Sequence, residues 1–237
     1  MSIDPIQHKK ILLMILTDIY SSAPIEQYLG FKGGTAAMMC YGLDRVSVDL
    51  DFDILDETKE DIIFLTVKNI LAGYGTLKEA RKKYFTLFYL LSYDNKLKGA
   101  QNAKIEISRR NENYRYEVEH YMGISMKVMS REDMFANKLM AMHERMARAT
   151  RDIYDVWFFF RHDWPINKQL VASKSGISYP EFLSRCIAKL ENFDNTFILA
   201  GLGELLTEKQ KAWARVNLKK DALFQLRLAL EMEKEVV

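Results

Sequence analysis

Apolar residues recur at helical spacing early in the chain, at Ile11, Leu12, Ile15, Leu16 and Ile19, which predicts an opening helix from Ile6 to Tyr20, closed by Pro24. From Tyr28 to Lys32 a short apolar run meets Gly33-Gly34, a pair able to adopt backbone conformations closed to other residues, and Thr35 then starts a second helix. Ser47 to Leu55 changes period. Val48, Leu50, Phe52 and Ile54 alternate with Asp49, Asp51 and Asp53, as in a strand with one buried and one wet face.

Lys59 to Ala72 returns to the helical period, and strand-like stretches follow at about 76–93, about 103–108 and as a pair near 115–129. Ser130, three residues before Asp133, is a variant capping box opening a helix through Ala147. Beyond it the pattern is helical throughout, at about 150–162, 167–174, 178–193 and 207–234, broken by Pro165, Gly176, Pro180 and Gly201. An α+β chain is predicted, with a mixed-sheet domain over 1–129 and an all-helical C-terminal domain over 130–237.

Composition changes this picture little. The 237 residues carry a net charge of +2, with 49% hydrophobic and 28% charged residues, as in an ordinary folded chain. Cys40 and Cys186 stand far apart without metal-ligand spacing and read as buried free thiols. No run reaches the roughly eighteen apolar residues of a membrane span, and the expected location is the cytoplasm. Positive charge gathers at Lys78, Arg81, Lys82 and Lys83 and again at Lys96, Lys98, Lys104, Arg109, Arg110 and Arg115, runs that a solvated face would also explain.

The chemistry sits in two stretches. Alternation sends Asp49 and Asp51 to one side of their strand, about 7 Å apart, where two carboxylates repel unless a cation lies between them. Magnesium suits such a pair, because it takes hard oxygen ligands and substrate phosphates. The glycine turn before a helix offers backbone N–H groups to an anion, so a triphosphate could lie between turn and metal. Glu106, flanked by Ile105 and Ile107, is the candidate third carboxylate, while Asp53 continues the wet face at its rim. Further on, Lys138 and Arg145 lie seven residues apart on nearly one helix face, and Asp152 and Asp155 share a face of the next helix. A carboxylate there could act as general base, could orient Lys138 or Arg145 by a salt bridge, or could simply favour the helix dipole. His143 and His162 lack metal-ligand partners, and Trp157 to Phe160 reads as core.

Lys32-Gly33-Gly34-Thr35, then Arg45-x-Ser47-x-Asp49-Leu50-Asp51, then Lys138 with Arg151-Asp152-Ile153-Tyr154-Asp155, resemble the successive motifs of the AbiEii-type nucleotidyltransferase toxins. The resemblance spans about residues 25–160; Gly-Gly with Asp-x-Asp alone would indicate only the wider polymerase-beta-like superfamily. It implies a polymerase-beta-like core with a mixed sheet and a helical C-terminal region, using an NTP and Mg2+ to attach a nucleotide to an acceptor. Asp49, Asp51 and Glu106 would hold the metal, and Asp152 would join them as a catalytic residue. Lys32, Gly33, Gly34, Thr35, Arg45, Ser47, Lys138, Arg145 and Asp155 would bind substrate. In the best understood relatives the acceptor is the 3′ end of tRNA and an antitoxin counters the toxin. The basic runs favour RNA over a protein side chain or a small molecule such as an aminoglycoside. A catalytically idle binding module on the same fold is the contrasting expectation.

Overall fold

Seven strands form one mixed sheet in the computed structural model, which describes residues 4–93, 99, 101–110 and 112–235. They are β1 (Leu29–Lys32), β2 (Asp49–Ile54), β3 (Thr76–Lys82), β4 (Thr86–Tyr93), β5 (Gln101–Ser108), β6 (Tyr116–Tyr121) and β7 (Ile124–Met129), in the order β3-β4-β5-β2-β1-β7-β6. β2 lies at the centre, parallel to β5 and antiparallel to β1. β1 in turn runs parallel to β7, while β3, β4 and β5 form an antiparallel meander.

The register aligns Leu50 with Ile105 and Phe52 with both Ile107 and Phe31, while Tyr89 faces Ile105 and Leu87 faces Ile107. All seven side chains are fully buried. Each such burial contributes about 1.5–3 kcal/mol, and the alternation then commits the other face of the same strands to the polar residues. α1 (Pro5–Tyr20) supplies Leu12, Ile15, Leu16 and Ile19 to the core and packs on β7 and on α3 (Glu60–Ala72). Its start is capped by the Asp4 carboxylate, which accepts from the Ile6 N–H at 3.1 Å and the Gln7 N–H at 3.2 Å. α3 buries Ile63, Val67 and Leu71 and lies against β3 and β4.

The expected strand at about 76–93 is a hairpin. β3 and β4 are joined at residues 83–85, where the Lys83 N–H donates to the Thr86 carbonyl at 2.8 Å. Lys83-Tyr84-Phe85 contains none of the residues that favour turns, so the reversal left no local signal. It is held instead from below by Arg109. The pair of strands expected near 115–129 is the β6–β7 hairpin, where a positive φ at Met122 (48°) and Gly123 (85°) makes the two-residue turn that twisted hairpins favour.

The chain folds as two compact units, Met1–Ser130 and Arg131–Val237. The second is helical: α4 (Arg131–Arg145), α5 (Arg151–Arg161), α6 (Lys168–Ser175), α7 (Tyr179–Glu191), α8 (Glu208–Trp213) and α9 (Lys219–Glu235). The single helix expected over 207–234 is interrupted by a wide π turn at residues 214–218. Trp157, Phe158 and Phe159 are buried: Phe159 stacks on Trp164 with centroids 4.0 Å apart, and Trp157 lies 4.2 Å from Trp213. Cys186 is buried and Cys40 half-buried, both as free thiols. Among the described residues no helix is long and apolar enough to cross a membrane.

Candidate active site

The polar face of β2 and β5 is a grid of charges. Register places Asp49 beside Lys104, Asp51 beside Glu106 and Asp53 beside Ser108, with Lys32 of β1 opposite Asp51. Glu106, chosen from sequence only as an alternating glutamate, is thus the direct neighbour of Asp51. Burial pushes the Asp51 carboxyl up to about 6, and the Asp49 and Glu106 carboxylates push the same way, against the opposing pull of Lys104 and Lys32. The Lys104 ammonium lies 3.3 Å from Asp49 Oδ2 and 3.3 Å from Glu106 Oε2. It neutralises from within a cluster that would otherwise be strongly repulsive.

The glycine turn abuts these acids. Gly33 has φ +78°, and a Cβ there would run into the Asp51 carboxylate. A Cβ on Gly34 would come within 2.8 Å of Ser47 Oγ and 2.9 Å of Arg45 Nη2. Both glycines therefore allow the start of α2 (Gly33–Cys40) to approach the acidic strand and the segment before it. Thr35 is fully buried and donates its hydroxyl to the Asp49 carbonyl, tying α2 to β2. Arg45 is 4% exposed and donates to the Val46 carbonyl at 3.0 Å.

Asp53 is not at a wet rim. It is 3% exposed, ion-paired to Lys32 at 2.5 Å and hydrogen-bonded by the Tyr116 hydroxyl. Lys32, expected at the substrate, spends its charge on this carboxylate and lies 5.8 Å from the Tyr114 ring centroid. Much of the basic charge is compensated in the same way. Lys82 pairs with Glu60 and Asp61, Arg81 and Lys83 with Glu79, and Arg109 with Glu60. Lys96 and Lys98 lie outside the described residues.

His8 is a residue that sequence reasoning passed over. It is buried behind the acidic strand, with Nδ1 at the Tyr93 hydroxyl and Nε2 2.8 Å from the Val48 carbonyl. Burial holds its pKa below the ordinary histidine value. Its spacing from Leu12, Ile15 and Ile19 puts it on the buried face of α1, which was the available signal.

In the second unit Lys138 Nζ lies 3.1 Å from Asp152 Oδ1 and 2.7 Å from Asp155 Oδ2. Arg145 grips Asp152 with two N–H groups, at 2.7 and 3.2 Å. Both aspartates are fully buried, while the Arg145 side chain is 46% exposed. Burial would raise the Asp152 pKa, but Lys138 and Arg145 outweigh it and hold it below the usual carboxylate range. Of the roles that the helical spacing allows, the salt bridge is the one this geometry makes. His143 packs on Phe182 and His162 stacks on Phe158.

The carboxylates of β2 and β5 offer oxygen donors only, and the like charge that adds to burial in raising Asp51 would be relieved by a hard cation. Among the described residues no three acidic, histidine or cysteine groups are gathered as a finished metal cage. Lys104 stands between two of the three.

Paired acids beside a glycine turn suit the handling of a metal-bound phosphate. Residues 15–221 match the family described as nucleotidyl transferase AbiEii toxin, type IV TA system, and the chain belongs to that family. It is a nucleotidyltransferase. No curated protein matches the chain. Among solved structures, a protein of H. pylori assigned as a nucleotidyltransferase has a TM-score of 0.67 at 20% identity, covering 100% of this chain and 99% of its own. JHP933 from Helicobacter pylori has a TM-score of 0.62 at 21% identity, with 100% and 97% covered. MenT4, a nucleotidyltransferase toxin from Mycobacterium tuberculosis, has a TM-score of 0.61 at 18% identity, with 94% and 84% covered. At these identities the three structures speak for the fold.

Two outcomes test the electrostatics. Because folding raises the Asp51 pKa from 3.8 to about 6, the folded state holds its proton more tightly than the unfolded chain does. The stability this confers is complete below pH 3.8 and is lost as pH rises to about 6. In metal-free buffer, denaturation across that window will show this loss in the wild type and not in Asp51→Asn. In the second unit, Asp152→Ala leaves Lys138 with one buried partner and is expected to cost about 3–5 kcal/mol, against about 1 kcal/mol or less for Arg145→Ala. Urea unfolding measures both, and equal costs would overturn this reading of the network.

Proposed function

We propose that the chain transfers a nucleoside monophosphate from an NTP to the 3′ end of an RNA, most closely tRNA, with Mg2+, and acts as the toxin partner of an antitoxin. The observation that carries the chemistry is the register pairing of Asp51 with Glu106, which sets three carboxylates on one face beside the glycine turn. The family description supplies the toxin–antitoxin setting.

The N–H groups opening α2 would receive an anion such as a triphosphate, with Arg45 and Ser47 packed against Gly34. Asp49, Asp51 and Glu106 would hold Mg2+, which supplies charge neutralisation at the phosphate undergoing substitution. In the reaction an acceptor hydroxyl oxygen bonds to the α-phosphorus, the α–β bridging bond breaks, and pyrophosphate leaves. Glu106 has a 37% exposed side chain against 22% for Asp49, and we assign it to receive the hydroxyl proton. Lys138 and Arg145 keep the phosphate-binding role that their motif implies, with Asp152 and Asp155 as the carboxylates that orient them.

Incubating the protein with total RNA, Mg2+ and each α-labelled NTP should label a tRNA-sized band, and Asp51→Asn should abolish it. Label on protein or on a small molecule, or equal label from the variant, would overturn the RNA assignment. Lys104 provides a second check, since a metal must compete with its ammonium for Asp49 and Glu106. Lys104→Met should tighten Mg2+ binding by up to about fivefold in calorimetry, roughly the 1 kcal/mol of one displaced ion pair. Unchanged or weaker binding would mean that Lys104 does not guard the acids.

A further inference from the structure

Beyond the C-terminal ends of β2 and β5 the chain exposes two aromatic rings on a turn that is held still. Tyr84 is 84% exposed and Phe85 49%. Arg109 fixes their backbone from below, its Nη1 donating to the carbonyls of Lys83 at 2.7 Å and Tyr84 at 3.1 Å. Its N–H donates to the Phe85 carbonyl at 2.9 Å, and its Nε to Glu60 at 2.7 Å. The rings meet edge to face, 4.4 Å between centroids, and the Arg110 guanidinium lies 4.4 Å from the Phe85 centroid. The group is thus aromatic, cationic and preorganised.

Beside it opens a cavity of about 280 Å³, lined by Ile54, Tyr84, Phe85, Arg109 and Arg110 together with Glu57 and Glu60. Arg109 and Lys82 neutralise Glu60. A second cavity of about 130 Å³ shares Ile54 and Arg110 and leads back to Asp53. Asp53 follows Asp51 by two residues on the same face of β2, about 7 Å along the strand, whereas Ile54 belongs to its apolar face.

Direction along β2 separates the two substrates. Lys32 pairs with Asp51 and Gly30 with Asp53 in the antiparallel β1–β2 ladder, so the glycine turn after Lys32 lies towards the N-terminal end of β2. The aromatic turn lies past the other end. An in-line displacement needs the leaving pyrophosphate and the attacking hydroxyl on opposite sides of the phosphorus. With the triphosphate at the glycine turn, an acceptor lying along β2 would approach from the end nearer Tyr84 and Phe85.

We propose that Tyr84, Phe85 and Arg110 form a stacking site for unpaired nucleotides of the RNA acceptor, holding the strand two or three nucleotides from the reacting hydroxyl at roughly 3.4 Å per stacked base. Exposed aromatic faces beside a guanidinium are the chemistry that binds single-stranded nucleic acid without reading its sequence. This site rests on the RNA reading above.

The test uses a fluorescein-labelled single-stranded oligoribonucleotide in anisotropy titrations, together with steady-state transfer to RNA. The Tyr84→Ala/Phe85→Ala double variant should weaken oligonucleotide binding and raise the KM for RNA by about tenfold or more, given what each stacked ring contributes. Its KM for the NTP should stay within twofold. Tyr84→Phe keeps the ring and should bind the oligonucleotide like the wild type, and Arg110→Ala should weaken binding with a reduced salt dependence. A double variant that binds and uses RNA as before, or that loses NTP affinity instead, overturns the stacking site while the RNA reading stands. Wild-type protein that transfers no label to RNA overturns that reading and the site with it.

Discussion

Like charge forced together on one face of a central strand pair is the constraint around which the first unit is arranged. β2 and β5 bury Leu50, Phe52, Ile105 and Ile107 on one side, so alternation leaves Asp49, Asp51 and Glu106 nowhere to go but the other. The rest of the site answers that crowding. Lys104 bridges Asp49 and Glu106, Lys32 is bound to Asp53, and the glycine turn keeps side-chain bulk away from Asp51. A site assembled in this way holds an excess of negative charge that a cation would relieve, and a phosphate would fit beside it only together with such a cation.

The second unit solves a related problem in the opposite manner. Asp152 and Asp155 are fully buried, and Lys138 and Arg145 bind them tightly enough that Asp152 stays below the ordinary carboxylate range. The carboxylates around Asp51 are left partly unbalanced, whereas Asp152 and Asp155 are buried against Lys138 and Arg145, of which the Arg145 side chain stays 46% exposed. The first arrangement suits chemistry. The second suits fixing the position of a cation whose geometry must not drift.

Several features were readable along the chain because they depend on period and local stereochemistry. The opening helix, the acidic strand, the glycine turn and the all-helical second half all follow from spacing, and the motif order identified the family to which the chain belongs. Asp53 was misplaced because alternation assigns a face but not a cover, and here Lys32 and Tyr116 close over it. The hairpin at residues 83–85 was missed because a distant arginine, not the turn residues themselves, holds it.

Sequence by itself determined that two aspartates share a side of a strand beside a glycine turn, since a period of two and the freedom of glycine are properties of the local chain. Only the tertiary structure decided which other charges meet them. Glu106 stands beside Asp51 because β5 is parallel to β2 in one particular register, and Lys104 reaches Asp49 and Glu106 for the same reason. A shift of one residue would have turned Glu106 and Lys104 into the core, and strand register is set by packing across the whole sheet, which no local pattern records.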